Sequence, residues 1–475
     1  MDNLPERLKK FYPLAGMIFV LTYMSVRYIS GLHFLAGISV FMLLFLTLEP
    51  IYPFCLLVLL LWVPRALNYI FLKDVFAAAP IAEVFSYMLL AMYAVSNILK
   101  IRNKPSIIFK MPFQAPILIF ILGNFLSYLL GGADDRIFAY ILFRQNSFYA
   151  IVLYVISASI TKGAAEAKKI GIALILSNLL LAIFIFHSFY FGGNVIDRYV
   201  PERLGGEFYV FGQNYIGISS IMLGNQMATI IPFVAGIAFL NTKIWYKLFG
   251  CFAVFILGAV LIATGTRGAW MASLIGILPV ILLALSLKRA SVFYKTVFTI
   301  VILLSLSVIL FASRTYLDIN EYLAYRLKSA MFIFNDPSLI ERMEIWVASF
   351  KAFLQNPLGM GFREQYPLGF MTVYPHSLYV GLFLSSGFLG AVGFFWFLAA
   401  WFRAISRSLK NAGTNEKTIF AAAIGSSLAF LTYGIFEHPA YNPIIVMPTI
   451  WIIWGCAIGL AGRIFEGGKL NELEK

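Results

Sequence analysis

Two short strings hold the residues best suited to chemistry in this chain. Thr264-Gly265-Thr266-Arg267-Gly268 interrupts an apolar run from about residue 248 to 287. Tyr374-Pro375-His376-Ser377-Leu378-Tyr379 stands where a long polar segment meets another apolar run. An arginine set between glycines can offer a planar fork to phosphate oxygens, because glycine permits a tight turn and close backbone approach. His376, one of only four histidines, is placed to take a proton from a hydroxyl at a helix entrance. Pro375 disfavours helix just before it, which predicts His376 near the first turn of the helix that follows.

Further candidates are scattered along the chain. Arg342 sits between Glu341 and Glu344, Arg203 precedes a glycine pair, and Arg144 lies a few residues inside an apolar run. An arginine within such a run is costly and marks a functional position by default. Glu437-His438-Pro439 ends another run, where Glu437 and His438 could orient His376 or bind an acceptor, with Tyr374 in support. Taken singly, these residues leave blander readings open: a snorkelling arginine, a solvated ion pair, an interfacial imidazole. Asp134 and Asp135 read as a solvated turn. No phosphate-binding glycine loop, paired-aspartate motif or metal-ligand spacing is present. The expected chemistry therefore holds an anionic substrate on arginines, with no metal and no cofactor.

The elements that must position these residues are membrane helices. Of 475 residues, 61% are hydrophobic and 12% charged, with mean hydropathy +0.86; a soluble chain carries about 25% charged residues. An apolar run near 40 residues is two spans back to back, since one span needs about 20. The string around Arg267 is then the turn between them. Hydropathy predicts about 12–14 spans, near 12–30, 33–48, 51–64, 78–99, 114–131, 138–160, 170–190, 217–240, 248–265, 268–287, 296–313, 373–402, 418–438 and 443–462. The net charge of +14 does not imply a nucleic-acid partner, because most lysines and arginines fall in alternate short links. That pattern predicts N-in, C-in topology in contact with membrane lipids. Cys55, Cys251 and Cys456 all fall in apolar runs and read as packing residues.

The expected organisation is an N-terminal transmembrane bundle over 1–190, then a central region over 191–313 with the Arg203 loop and the Arg267 turn. A helical loop on the outer side covers 314–372, and C-terminal transmembrane helices cover 373–475. Within the loop, Ser338 and Glu341 predict a capping box and a helix to about Gln355, stopped by Asn356-Pro357. Its apolar face is Met343, Trp346, Val347, Phe350 and Phe353/Leu354. Such a helix lies on a membrane surface or caps a cavity. A second amphipathic helix is expected over 321–334.

Together these strings resemble the O-antigen ligase/polymerase family of bacterial envelope glycan enzymes. The resemblance rests on Thr264-Gly265-Thr266-Arg267-Gly268-Ala269-Trp270, on Arg342 through Trp346 to Asn356-Pro357-Leu358-Gly359-Met360-Gly361, and on Pro375-His376-Ser377-Leu378. The segment from Arg203 to Gln213-Asn214 adds to it. It implies an all-α polytopic fold similar to the GT-C glycosyltransferases, with the outer loop in the periplasm of a bacterial inner membrane. It also implies transfer of a glycan from an undecaprenyl-diphosphate carrier to a sugar hydroxyl, without metal and with inversion. Arg267 and Arg342, and with them Arg203 and Arg144, would bind the diphosphate, and His376 would be the general base. The acceptor would be lipid A-core in a ligase, or another carrier-linked glycan in a polymerase. His376 is followed by Ser377 where many relatives have asparagine or a second nearby histidine, which leaves the acceptor class open. The ligase is favoured; a transporter of lipid-linked sugars and a non-catalytic scaffold are the rival readings.

Overall fold

The computed structural model describes residues 51–59, 61, 83, 86–91, 112–132, 136–191, 206–210, 213–218, 220–239, 244–286, 337–363, 366–368, 371–373, 375–437 and 446–466. The spans expected at 12–30, 33–48 and 296–313, the helix expected at 321–334, and most of 78–99 lie outside them. In lipid every backbone N–H and C=O must find a partner within its own segment, so apolar runs of this length become helices. The helices are α1 (Ile51–Leu59), α2 (Gln114–Leu130), α3 (Arg136–Phe143), α4 (Ala150–Ile160), α5 (Ala164–Phe191) and α6 (Ser220–Phe239). They continue as α7 (Ile244–Ala263), α8 (Arg267–Ser286), α9 (Pro337–Gln355), α10 (Leu378–Asn411), α11 (Thr414–Phe436) and α12 (Val446–Glu466). A π-helical turn, Arg144–Tyr149, joins α3 to α4. Among the described residues, seven helical segments are long and apolar enough to cross a membrane. The chain is an all-α, multi-pass membrane protein.

Two hairpins break the helical pattern: β1 (Gly206–Val210) with β2 (Gln213–Ile218), and β3 (Tyr366–Leu368) with β4 (Met371–Val373). Neither was legible in the hydropathy pattern. Each falls in a polar connection between helices, where strands short enough to pair only with each other leave no periodic signal.

Small residues set the helix crossings, as they must where lipid competes equally for apolar side chains. A Cβ on Gly276 of α8 would fall 2.7 Å from the Gly425 carbonyl of α11 and 2.6 Å from Pro232 of α6. Gly236 of α6 lies against Ala422 of α11, and Gly123 of α2 against Gly390 of α10. Behind these contacts lies an aromatic core of Tyr154, Phe394, Phe397, Trp451 and Trp454. Trp401 donates to the Trp454 carbonyl at 3.0 Å, and Trp454 donates to Ser427 at 2.9 Å. On the outside, Leu274, Leu278 and Leu282 of α8 stay exposed at i, i+4, i+8 spacing, a face made for lipid.

Contacts at the helix termini fix which ends coincide. Gly224 near the start of α6 abuts Thr264 and Thr266 between α7 and α8. Gly268 at the start of α8 packs on Phe436 at the end of α11, and Gly434 of α11 packs on Leu378 at the start of α10. The starts of α6, α8 and α10 and the ends of α7 and α11 thus share one end of the bundle.

Candidate active site

The Arg267 turn is built by its own threonines. Helix α7 closes at Ala263, where Thr264 donates its hydroxyl back to the Leu261 carbonyl at 2.7 Å. Gly265 takes the left-handed φ of 62° that reverses the chain. The Thr266 carbonyl receives the N–H groups of Ala269 and Trp270 at 3.0 and 3.2 Å. Thr266 therefore heads α8, and Arg267 is its first residue, half-buried, at the positive end of the helix dipole. The Trp270 indole reaches back to the Leu261 carbonyl at 3.1 Å and staples the two helices together.

The last turn of α11 collects the other candidates. Phe436 packs its ring on Gly268, where a Cβ would lie 3.1 to 3.2 Å from the phenyl atoms. Its carbonyl, free of any later helical turn, accepts a 2.9 Å hydrogen bond from Nη1 of Arg342. The next residue, Glu437, turns to extended backbone and points Oε2 at Nδ1 of His376, 3.3 Å away. Ser377 donates to the Gly434 carbonyl at 3.3 Å and Tyr379 to the Leu431 carbonyl at 2.7 Å, seating the start of α10 on the same turn. Trp346, one turn after Arg342, donates to the Pro375 carbonyl at 3.1 Å. The neighbourhoods of Arg267, Arg342, His376 and Glu437, spread over 171 positions of sequence, thus converge on two residues of one helix end.

His376 lies beside the first turn of α10, just outside the helix. Helix α10 begins at Leu378 with Ser377 as N-cap, and His376 lies before it with φ 44°. A non-glycine residue in that region costs about 1–2 kcal/mol, and such outliers cluster where function demands a particular side-chain direction. The His376 side chain is 33% exposed and that of Glu437 9%. A neutral imidazole that donates its Nδ1–H to this carboxylate keeps its lone pair on Nε2.

Arg144 belongs to a different cluster. On the π-helical turn, its Nε donates to Oε1 of Glu83 at 2.7 Å and its Nη2 to Oε2 at 3.1 Å. Tyr87 adds a 2.8 Å hydrogen bond to the same carboxylate, and the guanidinium lies 5.5 Å from the centre of the Tyr140 ring. Glu83 is fully buried. Sequence reasoning passed it over, although a single acid inside the 78–99 run carried the same signal as Arg144 itself. Arg203, Tyr374 and His438 lie outside the described residues.

Helix α9 begins at Pro337, one residue before the expected cap; proline is tolerated at the first helical position. Its expected single apolar face divides in two. Phe353 is buried and Trp346 half-buried against α10, whereas Met343, Val347, Phe350 and Leu354, joined by Ile340, stay exposed. Glu341 and Glu344 are exposed beside the tethered Arg342.

Residues 252–395 match the family model described as O-antigen ligase. This segment belongs to the O-antigen ligase/polymerase family. It contains Arg267, Arg342 and His376. Glu437, which completes the cluster, lies beyond the matched O-antigen ligase segment. No curated protein matches the chain.

Proposed function

We propose that this chain is an O-antigen ligase-type glycosyltransferase that moves a glycan from undecaprenyl diphosphate to a sugar hydroxyl of lipid A-core. The observation that carries the reading is the convergence of Gly268, Arg342 and His376 on Phe436 and Glu437. It sets two arginine-bearing helix ends beside a carboxylate-oriented imidazole.

In this reading Glu437 holds the Nδ1–H of His376, and Nε2 takes the proton of the acceptor hydroxyl as its oxygen attacks the anomeric carbon. The bond from that carbon to the carrier diphosphate breaks on the opposite face, so the configuration inverts. The electron pair leaves with the diphosphate, whose growing charge falls to Arg267, at the positive end of α8, and to Arg342. Fixed donors aimed at such charge are worth about 2.7–4 kcal/mol each in a water-poor cleft, and a positioned base adds about 10²–10⁴-fold. Arg144, already bidentate with Glu83, is not among the groups that hold the diphosphate in this reading. The site faces the periplasm of a bacterial inner membrane, with both termini in the cytoplasm, and the polyprenyl tail enters between helices.

The test is reconstitution with an undecaprenyl-diphosphate-linked glycan and either lipid A-core or a second carrier-linked unit, using wild type, Arg267→Ala and His376→Ala. Transfer to lipid A-core, lost in both variants, is the expected result. Transfer only between carrier-linked units makes the protein a polymerase with the same site. Binding of carrier with no transfer to either acceptor refutes the reading and favours transport.

A further inference from the structure

Helix α10 is continuous in outline but broken in its ladder. Gly387 has φ 64° and ψ −171°, ten residues and so about 15 Å along the helix from its N-cap. In an unbroken helix the Phe388 N–H donates to the Leu384 carbonyl. Here Phe388 donates instead to the Pro357 carbonyl at 2.8 Å, and the Leu384 carbonyl accepts the Met360 N–H at 2.6 Å. The helical bond between these two groups is replaced by two bonds to a segment from outside the helix. That segment is Asn356–Gly361, the loop that ends α9.

The fit excludes side chains on both sides. A Cβ on Gly387 would clash with the Leu358 carbonyl group, and one on Gly359 would lie 2.8 Å from the Gly387 nitrogen. The loop is held from a third direction by α2. The Gly361 N–H donates to Ser127 Oγ at 3.0 Å, and Tyr366 donates to the Gly361 carbonyl at 2.9 Å. Arg363 bonds the Met360 carbonyl at 3.2 Å and the Gly131 carbonyl at 2.8 Å. Non-helical backbone at membrane depth survives only when its polar groups are met by protein, and these bonds meet them.

The consequence lies about 20 Å away along α9, at Arg342. There α9 is tied to the Phe436 and Pro375 carbonyls; near the loop, Phe353 packs on Phe383 with ring centres 5.0 Å apart. A rod pinned at one end can pivot, whereas a rod pinned at both cannot. We propose that the Asn356–Gly361 loop is a splint: docked in the Gly387 break, it locks α9 along α10 and so fixes Arg342 relative to His376. Gly387, Gly359 and Ser127 are then positioning residues for the transfer. This role rests on the reading of Arg342 and His376 given above.

The experiment pairs distance with turnover. Nitroxides are placed at Val347→Cys on α9 and Trp396→Cys on α10, both exposed, with Cys55, Cys251 and Cys456 replaced by alanine. Distances are compared by pulsed electron resonance in the otherwise wild-type chain, in Gly387→Ala and in Ser127→Ala. Gly387→Ala heals the helix and expels the loop, broadening the distance. Donor turnover then falls about 10²-fold, the loss expected for a displacement near 1 Å, with a smaller change in donor KM. Ser127→Ala removes only one acceptor and gives about a threefold to tenfold loss; it decides the matter alone if Gly387→Ala does not fold. Unchanged distances in the folded variants overturn the splint, and broadened distances with wild-type turnover overturn its positioning role. No transfer by the wild type overturns the reading of Arg342 and His376, and the positioning role with it. The distances, which need no activity, separate that failure from failure of the splint.

Discussion

Glu437→Gln isolates the charge of the carboxylate behind His376 while keeping its shape. The amide oxygen can still accept the Nδ1–H, so the imidazole keeps its tautomer and direction, and only the negative charge is lost. In the proposed mechanism that charge matters when His376 becomes an imidazolium in the transition state. At 3.3 Å the attraction between unit charges runs from about 1 kcal/mol in water to about 5 kcal/mol at an effective dielectric of about 20. With side chains 33% and 9% exposed, the pair lies between those limits, and about 2–3 kcal/mol is expected. Single-turnover transfer from a lipid-linked donor should therefore slow about 30- to 150-fold in Glu437→Gln, with donor affinity little changed. Because the proposed mechanism has Glu437 act through His376, the double variant Glu437→Gln/His376→Ala should be no slower than His376→Ala alone. A Glu437→Gln rate within twofold of wild type refutes the dyad. So does a double variant slower than His376→Ala by the full Glu437→Gln factor, since that would give the carboxylate a separate role.

Three other outcomes follow from the geometry. Arg342→Ala should lower kcat/KM by about 10²–10³-fold, and Arg342→Lys should recover only part, because an ammonium lacks the planar fork that can hold the Phe436 carbonyl and a phosphate together; transfer kinetics across the series decide. Arg144→Met strands the buried Glu83 carboxylate and should destabilise the bundle by about 3–5 kcal/mol, whereas Arg144→Met/Glu83→Gln should regain most of that, as read by thermal unfolding in detergent. The exposed stripe of α9 should face acyl chains: a fluorophore on Val347→Cys in vesicles is quenched by lipid-borne nitroxides, and one on Glu344→Cys more strongly by an aqueous quencher.

Hydropathy alone determined that this chain crosses a membrane many times as helices. Lipid offers backbone groups no partner, so an apolar run of sufficient length has one conformation open to it. For the same reason the limits of α7, α8 and α11 were legible to within a few residues, and the Thr264-Gly265 turn between α7 and α8 could be read from its residue types. Arg267, Arg342 and His376 could be named because charge and imidazole are conspicuous in so apolar a sequence. What each of them touches was not legible. The pairing of His376 with Glu437 and of Arg342 with the Phe436 carbonyl depends on which helix ends coincide. Those in turn depend on glycine contacts such as Gly268 on Phe436, for which periodicity carries no register. The same holds for Arg144, whose partner Glu83 is 61 residues away. It holds most of all for Gly387, one glycine among 36, whose left-handed backbone is stable only because another segment supplies the hydrogen bonds its helix lacks. Local chemistry selects the element and the candidate side chain; packing alone decides which of them meet.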